Sequence, residues 1–302
     1  MPFSRSQYKG IGTPKNWRNK LVAERKDLFL RIIPFTAEIA PRLERLFLEN
    51  RPIPTRLWAI LDGITQGRIL VDEPEDPTFA LVQDLSEGTT YLGGAITAPA
   101  LRDAFAIARR YQEIVVCMWF DAPLASLLPA GPDYEGVAID FFDRSPAVDL
   151  DRLAALPAGY RMQRIDEQTG PAMEGFEYYV TMFGSVERAI RNMIGYCLMH
   201  GETVVCEAVA APLTRGVAEM GIDTAEGYRQ KGLATAASAY VIRECEALGY
   251  RAFWNAAQQN VASVALARRL GFRTEQPFTV LAWSATHQAA TQLSAKPEPP
   301  PA

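Results

Sequence analysis

Histidine is nearly missing from this chain: His200 and His287 are the two among 302 residues. A histidine-rich metal site or a Ser-His-Asp triad therefore has little to be built from. Cysteine is almost as scarce. Cys117, Cys197, Cys206 and Cys245 stand singly, with no C-x-x-C pair of the kind that grips zinc, so they read as reduced core thiols and no metal is expected. Positive charge is not in excess either, since 31 Lys and Arg face 35 Asp and Glu for a formal net charge of −4. Without a broad cationic surface to hold a phosphate backbone, nucleic acid is not the expected partner. The stretch Met1–Lys20 is polar and broken by Gly and Pro. It has neither the apolar core of a signal peptide nor a membrane span. The expectation is a cytoplasmic protein with no membrane partner.

What remains is ordinary globular material, 48% hydrophobic and 22% charged, in a chain long enough for two cores of domain size. Helical spacing over Ala40–Asn50 and Thr55–Leu61 gives way, past Gly63 and Gly67, to an extended run Arg68–Val71. Pro74 and Pro77 mark a loop. Strands are expected at Thr78–Gln83, Thr90–Ala95, Glu113–Phe120 and Gly136–Phe142, with a helix over Ala98–Tyr111. Pro146–Pro157 reads as a linker or short helix, and the boundary between two halves is placed near Pro157, giving 1–156 and 157–286. The second half reads as a strand at Tyr160–Ile165, a helical region Pro171–Asn192, a hairpin from Gly195–His200 through Gly201 into Thr203–Ala210, and a strand Val217–Asp223. A long helix Gly232–Leu248 follows, its apolar residues on one face and Gly249 as the stop. Strand Arg251–Asn255, helix Val261–Leu270 and closing strand Phe278–Ser284 complete it. The tail 287–302, ending in Lys-Pro-Glu-Pro-Pro-Pro-Ala, has the composition of a disordered segment. Each half ends in a strand containing aromatic residues, as a duplication would give.

The most informative stretch runs from Glu219 to Thr235: a strand to Asp223, a loop, then a helix entered at Gly232. A helix amino terminus leaves backbone N–H groups unpaired and carries partial positive charge, so it can hold a pyrophosphate. Gly232 permits close backbone approach, Arg229 and Lys231 add positive charge, and the small Ala234 and Thr235 keep bulk out of the way. This is an anion site by construction.

Arg229-Gln230-Lys231-Gly232-Leu233-Ala234 resembles the R/Q-x-x-G-x-G/A pattern with which GNAT enzymes bind the pyrophosphate of acyl-CoA. Its context is similar too: a strand before, a helix after, then a strand and a helix ending Leu270-Gly271-Phe272. Together with Trp254-Asn-Ala, Asn260-Val-Ala-Ser263, Ile60-Leu-Asp-Gly63 and Gly67-Arg-Ile-Leu-Val-Asp72, it resembles a bacterial family of two-part GNAT acetyltransferases. The resemblance spans most of the chain and is specific over Glu219–Phe272. It implies an α+β (mixed α/β) fold of tandem GNAT-like halves, each a twisted mixed β-sheet flanked by helices, the first half degenerate and the second catalytic. Acetyl-CoA or another short acyl-CoA is the implied cosubstrate, held by Arg229, Gln230, Lys231, Gly232, Leu233, Ala234 and Thr235. Backbone N–H groups around Met220, Gly221 and Ile222 are implied to polarise the thioester and hold pantetheine. Asn260 is implied to contact the pantetheine arm, and Ser263 is a weaker candidate contact.

Acyl transfer to an amine needs a group that takes the amine's proton. Glu219 is the candidate base, because strand alternation puts Glu219, Gly221 and Asp223 on one face; the alternative is a strand-end glutamate in a surface salt bridge. Asn260 is equally an expected helix N-cap. In the family a tyrosine beyond that asparagine protonates the leaving thiolate, but here the aligned position is Ala267, so no general acid is assigned. Phe176, Tyr178, Tyr179 and Phe183 read first as core and second as a border of the acceptor site. The expected activity is transfer of an acetyl or short acyl group to a primary amine on a small molecule, by a monomer or homodimer. A non-catalytic acyl-CoA-binding sensor and a protein N-acetyltransferase are the alternatives, and nothing before Pro157 convincingly repeats the R-x-x-G-x-A loop, so one cofactor site is expected.

Overall fold

The computed structural model describes residues 30–47, 54–118 and 123–285. The leader, the tail from 287, and the ends of the expected elements at 48–50 and 119–120 lie outside the described residues. In chain order the amino-terminal half contains β1 (Arg31–Ile33), α1 (Ala40–Glu44), α2 (Thr55–Leu61), β2 (Gly67–Val71), β3 (Phe79–Asp84), β4 (Thr89–Gly94), α3 (Ala98–Ala108), β5 (Ile114–Met118), β6 (Tyr134–Arg144) and α4 (Leu150–Leu153). The carboxy-terminal half contains β7 (Tyr160–Arg164), α5 (Phe176–Phe183), α6 (Val186–Arg191), β8 (Ile194–His200), β9 (Thr203–Thr214), β10 (Val217–Thr224), α7 (Leu233–Ala247), β11 (Arg251–Ala257), α8 (Val261–Arg269) and β12 (Phe272–Trp283).

Two expected elements differ in a way that local chemistry explains. The helical region 171–192 is two helices, because Gly184 turns left-handed at φ 86° to end α5 and the Ser185 hydroxyl accepts from the Arg188 N–H to start α6. The closing strand starts at Phe272 rather than Phe278. Pro277 does not end it: Pro277 lies opposite Ile139 within the long β6–β12 pairing.

Among the described residues twelve strands form one sheet in the order β1-β2-β3-β4-β5-β12-β6-β11-β10-β9-β8-β7. Read inward from either edge, five strands follow in chain order, and the sixth belongs to the other half. Strand β12 pairs with β5, β6 pairs with β11, and the two exchanged strands pair antiparallel at the centre. In both halves the fourth and fifth strands, β4–β5 and β10–β11, are parallel. The fold is thus a tandem with an internal pseudo-twofold, and its hydrogen-bonded sheet is continuous past Pro157.

Alternation along the strands sorts side chains to two faces. On one, α7 and its neighbours cover Ala218, Met220, Trp254 and Phe141, while α3 covers Leu81, Val116 and Trp283. On the other, α1 and α2 cover Ile69 and Val82, and α5 and α6 cover Cys197 and Val209. The helices of the two halves meet over this second face. The Gln66 N–H donates to the Met182 oxygen at 2.7 Å, and Arg188 donates to the Gly63 and Ile64 oxygens at 2.7 and 2.9 Å. Arg215 bridges Asp62 and Glu44 while lying over the Trp58 ring.

If residues 157–302 are produced alone, β11 loses β6 and exposes a bare edge of Trp254–Ala257. We expect that segment to aggregate and to show no cooperative urea transition, and solubility to return when 1–156 is supplied in the same cells; a monomeric segment with a sharp transition would contradict this.

Candidate active site

The loop from Ala225 to Gly232 is exposed, and its backbone turns left-handed twice, at Gln230 (φ 62°) and Gly232 (φ 77°). Gly232 is the N-cap of α7 and supplies no side-chain cap; a Cβ there would meet no atom within 4 Å. Glycine is needed here for its backbone conformation. The first turn closes with the Ala236 N–H on the Gly232 oxygen at 3.1 Å. The N–H groups of Leu233, Ala234 and Thr235 therefore stand at the helix end, where they can face an anion. Arg229 folds back with Nε on the Thr224 oxygen, and Lys231 reaches the Gly227 oxygen and lies over the Tyr228 ring, both donor distances being 3.0 Å. Both cations stay exposed beside the helix end.

Beside this loop the sheet splays. Strands β10 and β11 pair only over Val217–Glu219 and Arg251–Phe253, whereas the opposite edge of β10 stays paired to β9 as far as Thr224. From Met220 onward the β10 edge that faces β11 is released from the ladder. The opening widens toward the carboxyl ends of both strands, the end at which α7 and α8 begin. Met220, Gly221 and Ile222 thus sit at the mouth of a wedge whose far lip is the amino terminus of α7.

Glu219 occupies the apex of the wedge, on the face shared by α2 and α5, and it is 6% exposed. It is not a surface glutamate. Arg56 on α2 donates Nε and Nη2 to its Oε1, each at 3.1 Å, and the Thr55 hydroxyl donates to Oε2 at 2.7 Å. Arg56 also reaches Asp84 and Glu87, each at 3.3 Å, and the Ser86 hydroxyl at 3.3 Å. The Tyr178 hydroxyl donates to Glu87, with its ring near the guanidinium. Burial pushes the Glu219 carboxyl up, but the Arg56 guanidinium and the Thr55 and Arg56 hydrogen bonds outweigh it and hold it below the ordinary carboxylate range. Burial pushes the Tyr178 phenol well above its ordinary value, and its carboxylate neighbours add to this, so it remains a donor. Gly221 lies on the same face, where an added Cβ would come within 3.3 Å of the Tyr179 hydroxyl.

The other candidate residues make scaffold contacts of their own. Asn260 caps α8, its side chain accepting from the Ser263 N–H at 3.1 Å. The Ser263 hydroxyl accepts from Trp254 Nε1 at 3.0 Å and so ties α8 to β11. Ala267 is fully buried in the core between α8 and the sheet. His200 stacks on Tyr160 at the β8–β9 turn and also meets the Tyr228 ring of the Ala225–Gly232 loop edge-on, its Nδ1 lying 3.4 Å from the Tyr228 hydroxyl. The Asp72 carboxylate accepts from the N–H groups of Glu73, Thr78 and Phe79 and fixes its own loop. Burial raises the thiols of Cys197, Cys206 and Cys245 to about 12 each and that of Cys117 further, which leaves them protonated and poor nucleophiles. No group of three or more His, Cys, Asp or Glu suited to a metal occurs among the described residues. Among those residues no helix is long and apolar enough to cross a membrane.

A family profile described as GNAT acetyltransferase matches residues 45–281. The chain belongs to the GNAT acetyltransferase family. It is 27% identical over 248 residues to the uncharacterized N-acetyltransferase YdfB of Bacillus subtilis (strain 168), covering 78% of this chain and 93% of that protein. A GCN5-related N-acetyltransferase-like protein from Streptococcus suis 89/1591 superposes with a TM-score of 0.61 at 24% identity, over 82% of this chain and all of that one. A tandem GNAT protein from the clavulanic acid biosynthesis pathway superposes with a TM-score of 0.52 at 15% identity, over 85% and 98% of the two chains. These structures share the fold. The chain is accordingly an acetyltransferase of tandem GNAT architecture.

The sequence reading missed Thr55, Arg56, Asp84 and Glu87. One signal was present: Arg56 is the lone charge in the otherwise apolar helix Thr55-Arg-Leu-Trp-Ala-Ile-Leu61, and a buried cation requires a partner.

Two outcomes follow for stability. With its folded pKa depressed, Glu219 contributes fully above its unfolded value of about 4.3 and loses that contribution as pH falls through the lower folded value. In urea titrations between about pH 6 and about pH 3, Glu219→Gln should flatten the acid loss relative to wild type; equal slopes would contradict it. Ala267→Tyr, which restores a hydroxyl at the aligned position, should lower stability by ~1–3 kcal/mol or more because the site is already filled, as read by the urea midpoint.

Proposed function

We propose that the enzyme transfers an acetyl, or another short acyl, group from CoA to a primary amine on a small molecule, by direct attack of the amine on the thioester. One observation carries the reading: the released edge of β10 opens between the amino terminus of α7 and the buried carboxylate of Glu219. The pyrophosphate would lie on the N–H groups of Leu233, Ala234 and Thr235, with Arg229, Gln230, Lys231 and Gly232 shaping the loop around it. Pantetheine would run along Met220–Ile222, whose N–H groups would also polarise the thioester carbonyl, and pass the start of α8 at Asn260 and Ser263.

Glu219 is the base in this account. With three hydrogen bonds from Arg56 and Thr55 on its carboxylate and little exposure, it would take the proton of the amine through a bridging water. Three carboxylates, Glu219, Asp84 and Glu87, share the single guanidinium of Arg56. The excess of negative charge favours an acceptor that arrives as an ammonium. The burial of Glu219 beneath helices from both halves favours a small acceptor over an extended peptide. The high thiol pKa values support direct transfer over an acyl-cysteine route.

Calorimetric titration with acetyl-CoA should give saturable binding. Gly232→Glu, which strains the N-cap and sets negative charge at the helix end, should weaken it at least ~10-fold, or about 1.4 kcal/mol. Glu219→Gln should retain binding while CoA-thiol release on the best of a panel of small amines falls ~10²-fold or more. Unchanged binding in Gly232→Glu would overturn the cofactor assignment. Faster release on lysine-bearing peptides than on every small amine would make the enzyme a protein acetyltransferase.

A further inference from the structure

Glu219 belongs to the carboxy-terminal half, yet both of its described side-chain donors come from the amino-terminal one. Thr55 and Arg56 open α2, which packs on the amino-terminal part of the sheet through Leu57, Ile60 and Leu61. Their reach to Glu219 spans 164 and 163 residues of chain. The contacts are specific as well as distant. The side edge of the guanidinium, through Nε and Nη2, lies on one carboxylate oxygen, the Thr55 hydroxyl takes the other, and Nη1 turns away to Asp84 and Ser86. We propose that Thr55 and Arg56 are positioning residues of the acetyltransferase: they fix both oxygens of Glu219 at the apex of the β10–β11 wedge and keep it ionised, so that half of the active-site electrostatics is supplied by the amino-terminal half.

The inference rests on the reading of Glu219 as the base, but its geometry stands apart from acetyl-CoA. The charged and titratable groups around the carboxylate, among the described residues, are Arg56 on α2, Asp84 and Glu87 from the end of β3 and the turn after it, Tyr91 on β4, Cys117 on β5 and Tyr178 on α5. Of these, Arg56 alone is positive. Removing it leaves Glu219 buried beside the carboxylates of Asp84 and Glu87, and burial and like charge each favour its protonated form. A protonated carboxyl cannot accept a proton from an amine or a water. The amino-terminal half thus sets the pH range in which the base is competent.

The test is an infrared difference titration of the full chain without ligand, with the Glu219→Gln variant subtracted so that the remaining carboxyl band is that of Glu219. In the wild type the band should stay ionised through the neutral range. In Arg56→Gln its midpoint should rise by ~1–3 pH units, the span an adjacent opposite charge accounts for. Arg56→Lys, which keeps the charge but not the fork, should recover most of the rise. Thr55→Val should give a smaller rise and decides the matter if Arg56→Gln does not fold. With an accepted amine, the acid limb of kcat/KM should move by the same interval while the affinity for acetyl-CoA stays constant, a change that a purely structural residue would not produce. Midpoints in Arg56→Gln and Thr55→Val equal to wild type would overturn the proposal. Because the titration needs no acetyl-CoA, its failure and the failure of the cofactor assignment are separate results.

Discussion

Strand β11 has β10 on one side for three residue pairs and β6, from the other half of the chain, on the other side for four, and the rest of the structure depends on that arrangement. Held along one edge by β6, β11 can part from β10 on the other without leaving the sheet. The parting opens the wedge and releases the β10 edge at Met220. Strand β6 is in turn locked to β12 along almost its whole length, and β12 to β5. Two halves exchanged in this way cannot separate without breaking the central ladder, so the site sits on a rigid base rather than at a hinge.

The same exchange brings the helices of both halves together over one face, and there hydrophobic burial meets a charge problem. Glu219, Asp84 and Arg56 are each 6% exposed or less. An isolated carboxylate at that depth would neutralise rather than remain charged. Arg56 resolves this for Glu219 by direct contact, while Asp84 also accepts from the Ser86 N–H and hydroxyl. The result is a carboxylate that is charged, oriented and shielded beside the place where a thioester would lie. As the proposed base Glu219 would be weak in water, but a carboxylate that is fixed and desolvated loses little to reorganisation. The proposed cofactor side follows a different logic: its loop is exposed and glycine-capped, and an anion there would meet backbone N–H groups more than any side chain.

The sequence carried the parts of this that depend on local chemistry. The Glu219–Thr235 run contains its strand, loop and helix start within seventeen consecutive positions, and the structure follows it to within a residue at Gly232. Asn260 was legible as an N-cap for the same reason. What spacing along the chain could not convey was anything decided by contacts more than a hundred residues apart. The β6–β12 exchange is invisible to periodicity, since an exchanged strand and an ordinary one alternate alike. The break at Gly184-Ser185 was written in a glycine and a capping serine, but helical spacing on either side obscured it. Arg56 stood out only as a charge in an apolar helix, and one of its partners, Glu219, lay in the other half.

The most direct test of the central claim, that acetyl-CoA is held by the wedge and the α7 amino terminus of the carboxy-terminal half alone, is amide hydrogen exchange across the full chain with and without acetyl-CoA. The account predicts slowed exchange in segments covering Met220–Ile222 and Leu233–Thr235, with the matching strands β4 and β5 of the amino-terminal half unchanged. Protection at β4 and β5, or none at Leu233–Thr235 under saturating acetyl-CoA, would contradict it.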